Sequence, residues 1–203
     1  MIAYNSKLNN VEMEDKKFRL NIINENEIII ECSELINSAG IFATEVTKKI
    51  NNFKKELIPE TFYAKGNYFS ASKDFGIRHL VYPIPEGFGL GIHLTLELDN
   101  TIKFGPDVEW VDTPDDYKVN INNKEKFIAE IMKYFPSFDS NLLQPSYAGI
   151  RPIMNKKDKS MRDFVIQTEL DHTIPNLINL YGIESPGLTS SLPISKYIKD
   201  LLI

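Results

Sequence analysis

The stretch that decides the fold is Leu177-Ile178-Asn179-Leu180-Tyr181-Gly182-Ile183-Glu184-Ser185-Pro186-Gly187-Leu188-Thr189-Ser190-Ser191. It opens with an apolar run of strand length that does not alternate with polar residues. Such a run fits a strand of a parallel sheet, buried on both faces. A Gly/Ser/Pro turn follows and opens a helix. Backbone N–H groups without partners and the positive helix end then meet at one place, which suits an anion or a developing negative charge. Gly182 and Gly187 would let a ligand approach the backbone closely. Taken alone, the residues favour the plainer reading of a strand-to-helix turn with Thr189 or Ser190 as N-cap. The final helix is expected from about Thr189 to the end. Pro193 implies a kink or a later start, because it lacks an N–H.

Upstream, Leu35 to Ser38 reads as a second short apolar strand, ending at Ala39-Gly40. Small residues there suit close packing, a nearby ligand or a simple structural turn. Phe42, Val46, Ile50, Phe53 and Leu57 recur at helical spacing and predict a helix after Gly40. Lys17–Ile23 and Glu27–Cys32 read as two strands joined by an Asn24-Glu25-Asn26 turn. The middle of the chain reads as mostly antiparallel strands: Phe62–Ser70, His79–Ile84, Leu90–Leu98 and Thr101–Phe104. Asp99-Asn100 is the predicted hairpin turn between the last two. Asn122–Phe135 is the clearest helix. Asn122 is its expected cap, Glu125 lies three residues on, and Phe127, Ile128, Ile131, Met132 and Phe135 form one apolar face. Pro136 ends it. Strands resume at Ser146–Arg151 and Asp163–Gln167.

The 203 residues suffice for one or two modest domains, and 42% apolar with 25% charged residues is ordinary for a folded chain. A net charge of −5 without a basic stripe speaks against nucleic acid. It also means that an anionic substrate would need local Arg or Lys. Cys32 is the single cysteine, so no internal disulfide or cysteine zinc site can form. In its strand-like setting a buried, inert thiol is expected. His79, His93 and His172 show no metal-ligand spacing. No apolar run nears the ~20 residues that span a bilayer, and no signal peptide is evident. A reducing, cytoplasmic location is expected.

Two further segments carry candidate chemistry. Arg151, in Tyr147-Ala148-Gly149-Ile150-Arg151-Pro152, could hold a carboxylate through a bidentate fork. Pairing with Asp163 or Asp158 to fix a strand edge is the alternative. Arg78-His79-Leu80-Val81-Tyr82-Pro83-Ile84-Pro85 precedes Gly87-Phe88-Gly89-Leu90-Gly91. The latter is no phosphate loop, because Ile92 stands where GxGxxG needs its third glycine. Strand alternation puts Gly91, His93 and Thr95 on one face. A histidine so placed is a hydrogen-bonded core residue or a base.

Several motifs together resemble one family. They are Phe62-Tyr63-Ala64-Lys65-Gly66-Asn67-Tyr68-Phe69, Tyr82-Pro83-Ile84-Pro85, Leu90-Gly91-Ile92-His93-Leu94-Thr95, Phe104-Gly105-Pro106-Asp107, Ala148-Gly149-Ile150-Arg151-Pro152 and Gly182-Ile183-Glu184-Ser185-Pro186-Gly187-Leu188-Thr189. They look like the L-2-hydroxyglutarate dehydrogenases and oxidases, within the D-amino-acid-oxidase-like flavoproteins. The resemblance runs in order along nearly the whole chain.

It implies an α+β chain: an α/β FAD-domain remnant plus an antiparallel-sheet substrate domain. On that mapping residues 1–57 and 151–203 belong to the FAD domain and 58–150 to the substrate domain. The cofactor implied is FAD and the substrate a small dicarboxylate 2-hydroxy acid. His93 is the implied base, Arg151 the carboxylate clamp and Arg78 the holder of a second carboxylate. Gly187, Leu188 and Thr189 would present backbone N–H groups to the flavin, Gly182 would admit it closely and Gly40 would pack against it. The family opens with a strand–GxGxxG–helix unit, which this sequence lacks. A split-gene half, a decayed gene product or an excised fragment is therefore expected, with a possible separate N-terminal half. An amine or amino-acid oxidase, or a non-catalytic remnant or complementing subunit, is the alternative.

Overall fold

A computed structural model describes residues 1–73, 75–84, 91–99, 101–155 and 163–202. It divides into two compact units: Met1–Phe62 with Pro152–Ile203, and Tyr63–Arg151.

The first unit holds two sheets. One joins β1 (Lys7–Glu14), β2 (Lys17–Ile23) and β3 (Glu27–Cys32) as an antiparallel meander. The other joins β4 (Leu35–Asn37), β10 (Val165–Gln167) and β11 (Leu177–Tyr181) in the order β10-β11-β4, with β11 parallel to β4 and antiparallel to β10. All five residues of β11 are buried, the polar Asn179 included, as a strand without polar alternation predicts. Leu177 packs with Val11, Phe18, Ile50 and Phe53, whereas Ile178 and Leu180 pack with Ile198 of the last helix, α4 (Ser191–Leu201).

The helix predicted after Gly40 is cut short. Only α1 (Ala43–Thr47) is α-helical. The reason is a competing partner for the backbone: Val11 N–H donates to the Lys49 carbonyl and Asn51 N–H donates to the Val11 carbonyl. This bridge to β1 draws the chain out of the helix, and Asn52 takes φ +63°. Ile50 and Phe53 still reach the core, while Phe42 is exposed. β1 and the four-residue α3 (Glu169–His172) carried no clear periodicity.

The second unit is a five-stranded sheet covered on one face by a helix. β5 (Phe62–Ala71), β6 (His93–Leu96), β7 (Ile102–Gly105), β8 (Glu109–Val111) and β9 (Gln144–Ile153) lie in the order β6-β7-β5-β8, with β9 also pairing β5. The strand expected over His79–Ile84 is reduced to a single bridge between Val81 and Leu94. Pro83 lacks the N–H that a longer ladder would use. Leu90, Asn100, Asp158 and the glycines at 87 and 89 lie outside the described residues.

The covering helix is α2 (Lys124–Tyr134), preceded by a short 3-10 turn at Ile121–Asn123. Asn122 is not a cap: Asn120 caps the 3-10 turn, its side chain accepting from Asn122 N–H, and Asn123 stands at the N-cap of α2 without a side-chain cap bond. Phe127 and Ile131 are fully buried against Phe69, Leu94, Ile102 and Phe104, but Met132 is exposed rather than part of that face.

Candidate functional site

The face of the second unit's sheet opposite α2 gathers polar chemistry. The register pairs His93 with Gly105 and Thr95 with Lys103 across β6 and β7, and Lys103 with Ser70 across β5. Directly opposed residues share a face, so His93, Thr95, Lys103 and Ser70 stand together. Tyr68 joins them, because a Cβ placed on Gly105 would come within 2.8 Å of the Tyr68 ring and 2.7 Å of the Asn67 carbonyl. Gly105 is needed there: its φ of +137° is one that side-chain-bearing residues rarely adopt.

Aromatic rings tie this face together. Tyr147 of β9 stacks on Tyr68, with centroids 4.5 Å apart and planes 12° apart. Tyr82 stacks on the His93 imidazole at 4.0 Å. Arg151 lies four positions beyond Tyr147 on β9 and so shares its face. Burial, and then Tyr147, push the Tyr68 phenol up to about 12, against the opposing pull of Arg151. Tyr68 is thus neutral at physiological pH and able to donate. Gly149, between Tyr147 and Arg151, leaves open space, since a Cβ there meets nothing within 4 Å.

The structure brings His93 and Arg151 onto one sheet face. Arg78 is different: it is exposed on the segment before Tyr82, and its guanidinium donates to the Ile77 carbonyl. The rings of Tyr68, Tyr82 and Tyr147, and Lys103, were given no role by sequence reasoning. Strand alternation around Arg151 carries the signal for Tyr147, but cross-strand register is needed to add Tyr68 and Lys103. A cavity of about 530 Å³ lies elsewhere in this unit, between α2 and residues such as Ile92 and Trp110.

This sheet is held by a buried polar hub. Asp107 accepts from Asn67 N–H, the Asn67 amide and the Asn123 amide. Asn67 also donates to Glu109 and accepts from Asn120 N–H. Lys65, 2% exposed, pairs with Asp116 at 2.7 Å and Glu109 at 3.5 Å.

In the first unit, the turn after β11 is tightly packed. Gly182 has φ +66°, and a Cβ on it would strike the Met154 side chain at 2.6 Å. Gly187 is buried, donates its N–H to the Glu184 carbonyl, and has Ile183 within 2.5 Å of any added Cβ. Leu188 and Thr189 are exposed, and α4 begins later than expected, at Ser191. Ser190 is its N-cap, but the Ser190 and Thr189 hydroxyls donate to the Pro186 carbonyl instead of capping. Pro193 falls in the first turn, where its missing N–H costs nothing. A cavity of about 340 Å³ opens beside Met154, Phe164, Gly182, Ser185 and Pro186. Gly40 has φ +58° and open space around it. The open space at Gly40 after β4 and the cavity at the turn after β11 each leave room for a flat ring, but Asp163 and Glu184 also line that cavity and do not favour an anion there.

Cys32 is half-buried and free, its thiol pushed up by burial. Asp163 accepts from Phe164 N–H. Among the described residues, no cluster of three or more His, Cys, Asp or Glu could hold a metal ion. Among them too, no helix is long and apolar enough to cross a membrane.

Comparison with known proteins defines the class. Residues 2–201 match the family model described as FAD dependent oxidoreductase, and the chain belongs to that family. FAD is therefore its cofactor class. The chain is 41% identical to the mitochondrial L-2-hydroxyglutarate dehydrogenase of Arabidopsis thaliana, covering 98% of this chain and 45% of that protein. It is 31% identical to the glycerol 3-phosphate oxidase of Mycoplasma genitalium, covering 99% of this chain and 51% of that protein. Among solved structures, the dithionite-reduced L-alpha-glycerophosphate oxidase of Mycoplasma pneumoniae with FAD bound superposes with a TM-score of 0.81 at 23% identity. That superposition covers 97% of this chain and 50% of the other, and it is a likeness of fold. The chain spans about half the length of the curated relatives it matches.

Proposed function

We propose that this chain is the C-terminal part of an FAD-dependent enzyme that oxidises a 2-hydroxy acid of the L-2-hydroxyglutarate type to the 2-oxo acid. The observation that carries the reading is the sheet face on which His93, three tyrosines and Arg151 converge, in a chain 41% identical to an L-2-hydroxyglutarate dehydrogenase. Residues 1–57 and 151–203 make up the cofactor part of the chain and 58–150 the substrate part, with Arg151 at the boundary serving the substrate. Arg151 grips the C1 carboxylate through its planar fork. His93 accepts the hydroxyl proton, its ring oriented by Tyr82. Gly40, Gly182, Gly187, Leu188 and Thr189 form the flavin cradle, although the Gly187 N–H is committed to the Glu184 carbonyl and is not presented to the ring as expected. Bound FAD supplies the acceptor for the C2 hydride.

We also infer a separate N-terminal half carrying the strand–GxGxxG–helix unit. Its support is apolar surface in the first unit: Ile28, Ile29 and Ile30 on β3 and Ile36 on the edge strand β4 are all exposed. The free thiol of Cys32 fits a reducing, cytoplasmic setting. A second reading, oxidation of glycerol 3-phosphate, is favoured by the likeness to glycerol 3-phosphate oxidases.

Turnover with a dye acceptor, measured on the chain assembled with such a half, separates these readings. L-2-Hydroxyglutarate should be oxidised well above glycerol 3-phosphate and glycine. Preference for glycerol 3-phosphate would establish the second reading, and preference for glycine an amine oxidase.

A further inference from the structure

The geometry points to Lys103, seated on the Tyr147 ring, as the cation that holds the second carboxylate of a dicarboxylate substrate. This rests on the proposed function, which places a 2-hydroxy acid on the His93 face, and it names what selects the acid.

Lys103 stands directly across from Thr95 on β6 and Ser70 on β5, one row along the strands from the His93–Gly105 pair. Its ammonium lies 4.5 Å from the centroid of the Tyr147 ring and 6.0 Å from that of Tyr68. Tyr68 in turn interacts with Arg151. Arg151, on the same face of β9 as Tyr147, and Lys103, over the Tyr147 ring, therefore share the sheet face of one stacked tyrosine pair. That arrangement offers a separate positive charge to each end of a short diacid. A monocarboxylate could use only one of them.

The Lys103 side chain is 18% exposed and ion-paired to Glu97, whose side chain is 44% exposed. An ammonium resting on aromatic rings keeps its charge while giving up part of its water, so an incoming carboxylate meets a lower desolvation cost. Burial alone would lower the ammonium's pKa, but Glu97 and Tyr147 outweigh it and hold it above the usual lysine range. Lys103 is thus charged at any working pH. Glu97, at the outer side, is an internal stand-in for the carboxylate, and it competes with the ligand. Arg78, by contrast, is exposed and turned onto the Ile77 carbonyl.

The test is calorimetric and NMR titration of the full chain with glutarate, a diacid, and butyrate, its monoacid counterpart. Both lack the reacting hydroxyl, so binding is read without turnover. Glutarate should bind about tenfold more tightly than butyrate, the gain of one charge-assisted contact. Lys103→Met should erase that preference and leave butyrate affinity unchanged. Glu97→Gln, at an exposed carboxylate, should strengthen glutarate binding severalfold. Arg78→Ala should leave the preference intact. A preference that survives Lys103→Met, or one that Arg78→Ala removes, overturns the assignment while leaving the hydroxy-acid reading in place. Equal binding of the two acids by the unaltered chain does the same. Binding of neither acid counts against the proposed function itself, and the assignment falls with it.

Discussion

His93 and Arg151 share a sheet face, yet the proposed chemistry asks opposite things of them. A general base acts in the transition state, whereas a carboxylate clamp acts from first binding onward. In the assembled enzyme His93→Ala should lower kcat by about 10²–10⁴-fold with little change in KM. An unchanged kcat would return His93 to a structural role beside Tyr82. Arg151→Ala should chiefly raise KM, and Arg151→Lys should recover little, because the planar fork is lost. Recovery by lysine would show that charge alone suffices.

His172 gives a stability prediction of its own. It is buried beside Phe53, and its Nδ1 accepts from Ile174 N–H. Burial lowers its pKa below the ordinary 6.5, with Asp171 and Glu169 opposing. The unfolded chain therefore takes up a proton below about pH 6.5 that the folded chain refuses. The His172 contribution is fully present above that pH and is lost as the pH falls through the folded pKa. Urea titrations from pH 7.5 to 5 should show stability falling, and less steeply in His172→Asn, which keeps an acceptor. Identical slopes would contradict this.

At the scale of elements, local pattern and tertiary context divide cleanly. β11 was legible because five consecutive positions are apolar or sheet-compatible and all are buried. α2 was legible from Phe127 and Ile131, but its start was misplaced by two residues. Asn120, not Asn122, caps the turn because Asn120 is pinned by the Asn67 side-chain Oδ1 and by Glu109, partners more than ten residues away in sequence. The shortening of α1 has the same cause, since the Val11 bridge lies 38 or more residues upstream. On the site face, His93 and Arg151 stood out by residue type, whereas Lys103 and Tyr68 gain meaning only through register.

The same division sets magnitudes. Phe127→Ala should cost about 3–5 kcal/mol in chemical denaturation, because its ring is fully buried against Phe69. Asn120→Ala should cost about 1–2 kcal/mol through the lost cap and the unpaired Asn122 N–H. A loss at Asn120 equal to that at Phe127 would mean that the polar hub, and not the α2 core, dominates this unit.

At the scale of the whole molecule, apolar edges decide behaviour in solution. β3 ends its sheet and presents Ile28, Ile29 and Ile30, each 44–53% exposed. Such an edge invites pairing with another chain. The isolated chain should self-associate on concentration, and Ile29→Lys should reduce that association in sedimentation experiments. Co-expression with a domain carrying the GxGxxG unit should suppress it without any substitution. A monomer at high concentration, without either change, would show that the chain closes its own surface.

We propose that this chain supplies the substrate face of a flavin-dependent 2-hydroxy-acid oxidoreductase. The most direct test is anaerobic mixing of the FAD-loaded assembly with L-2-hydroxyglutarate, unlabelled and deuterated at C2, while the oxidised flavin band is followed. Rapid bleaching that slows with deuterium and is lost in Arg151→Ala at the same substrate concentration is the expected result. A flavin that stays oxidised with L-2-hydroxyglutarate, yet bleaches with glycerol 3-phosphate or glycine, would contradict it.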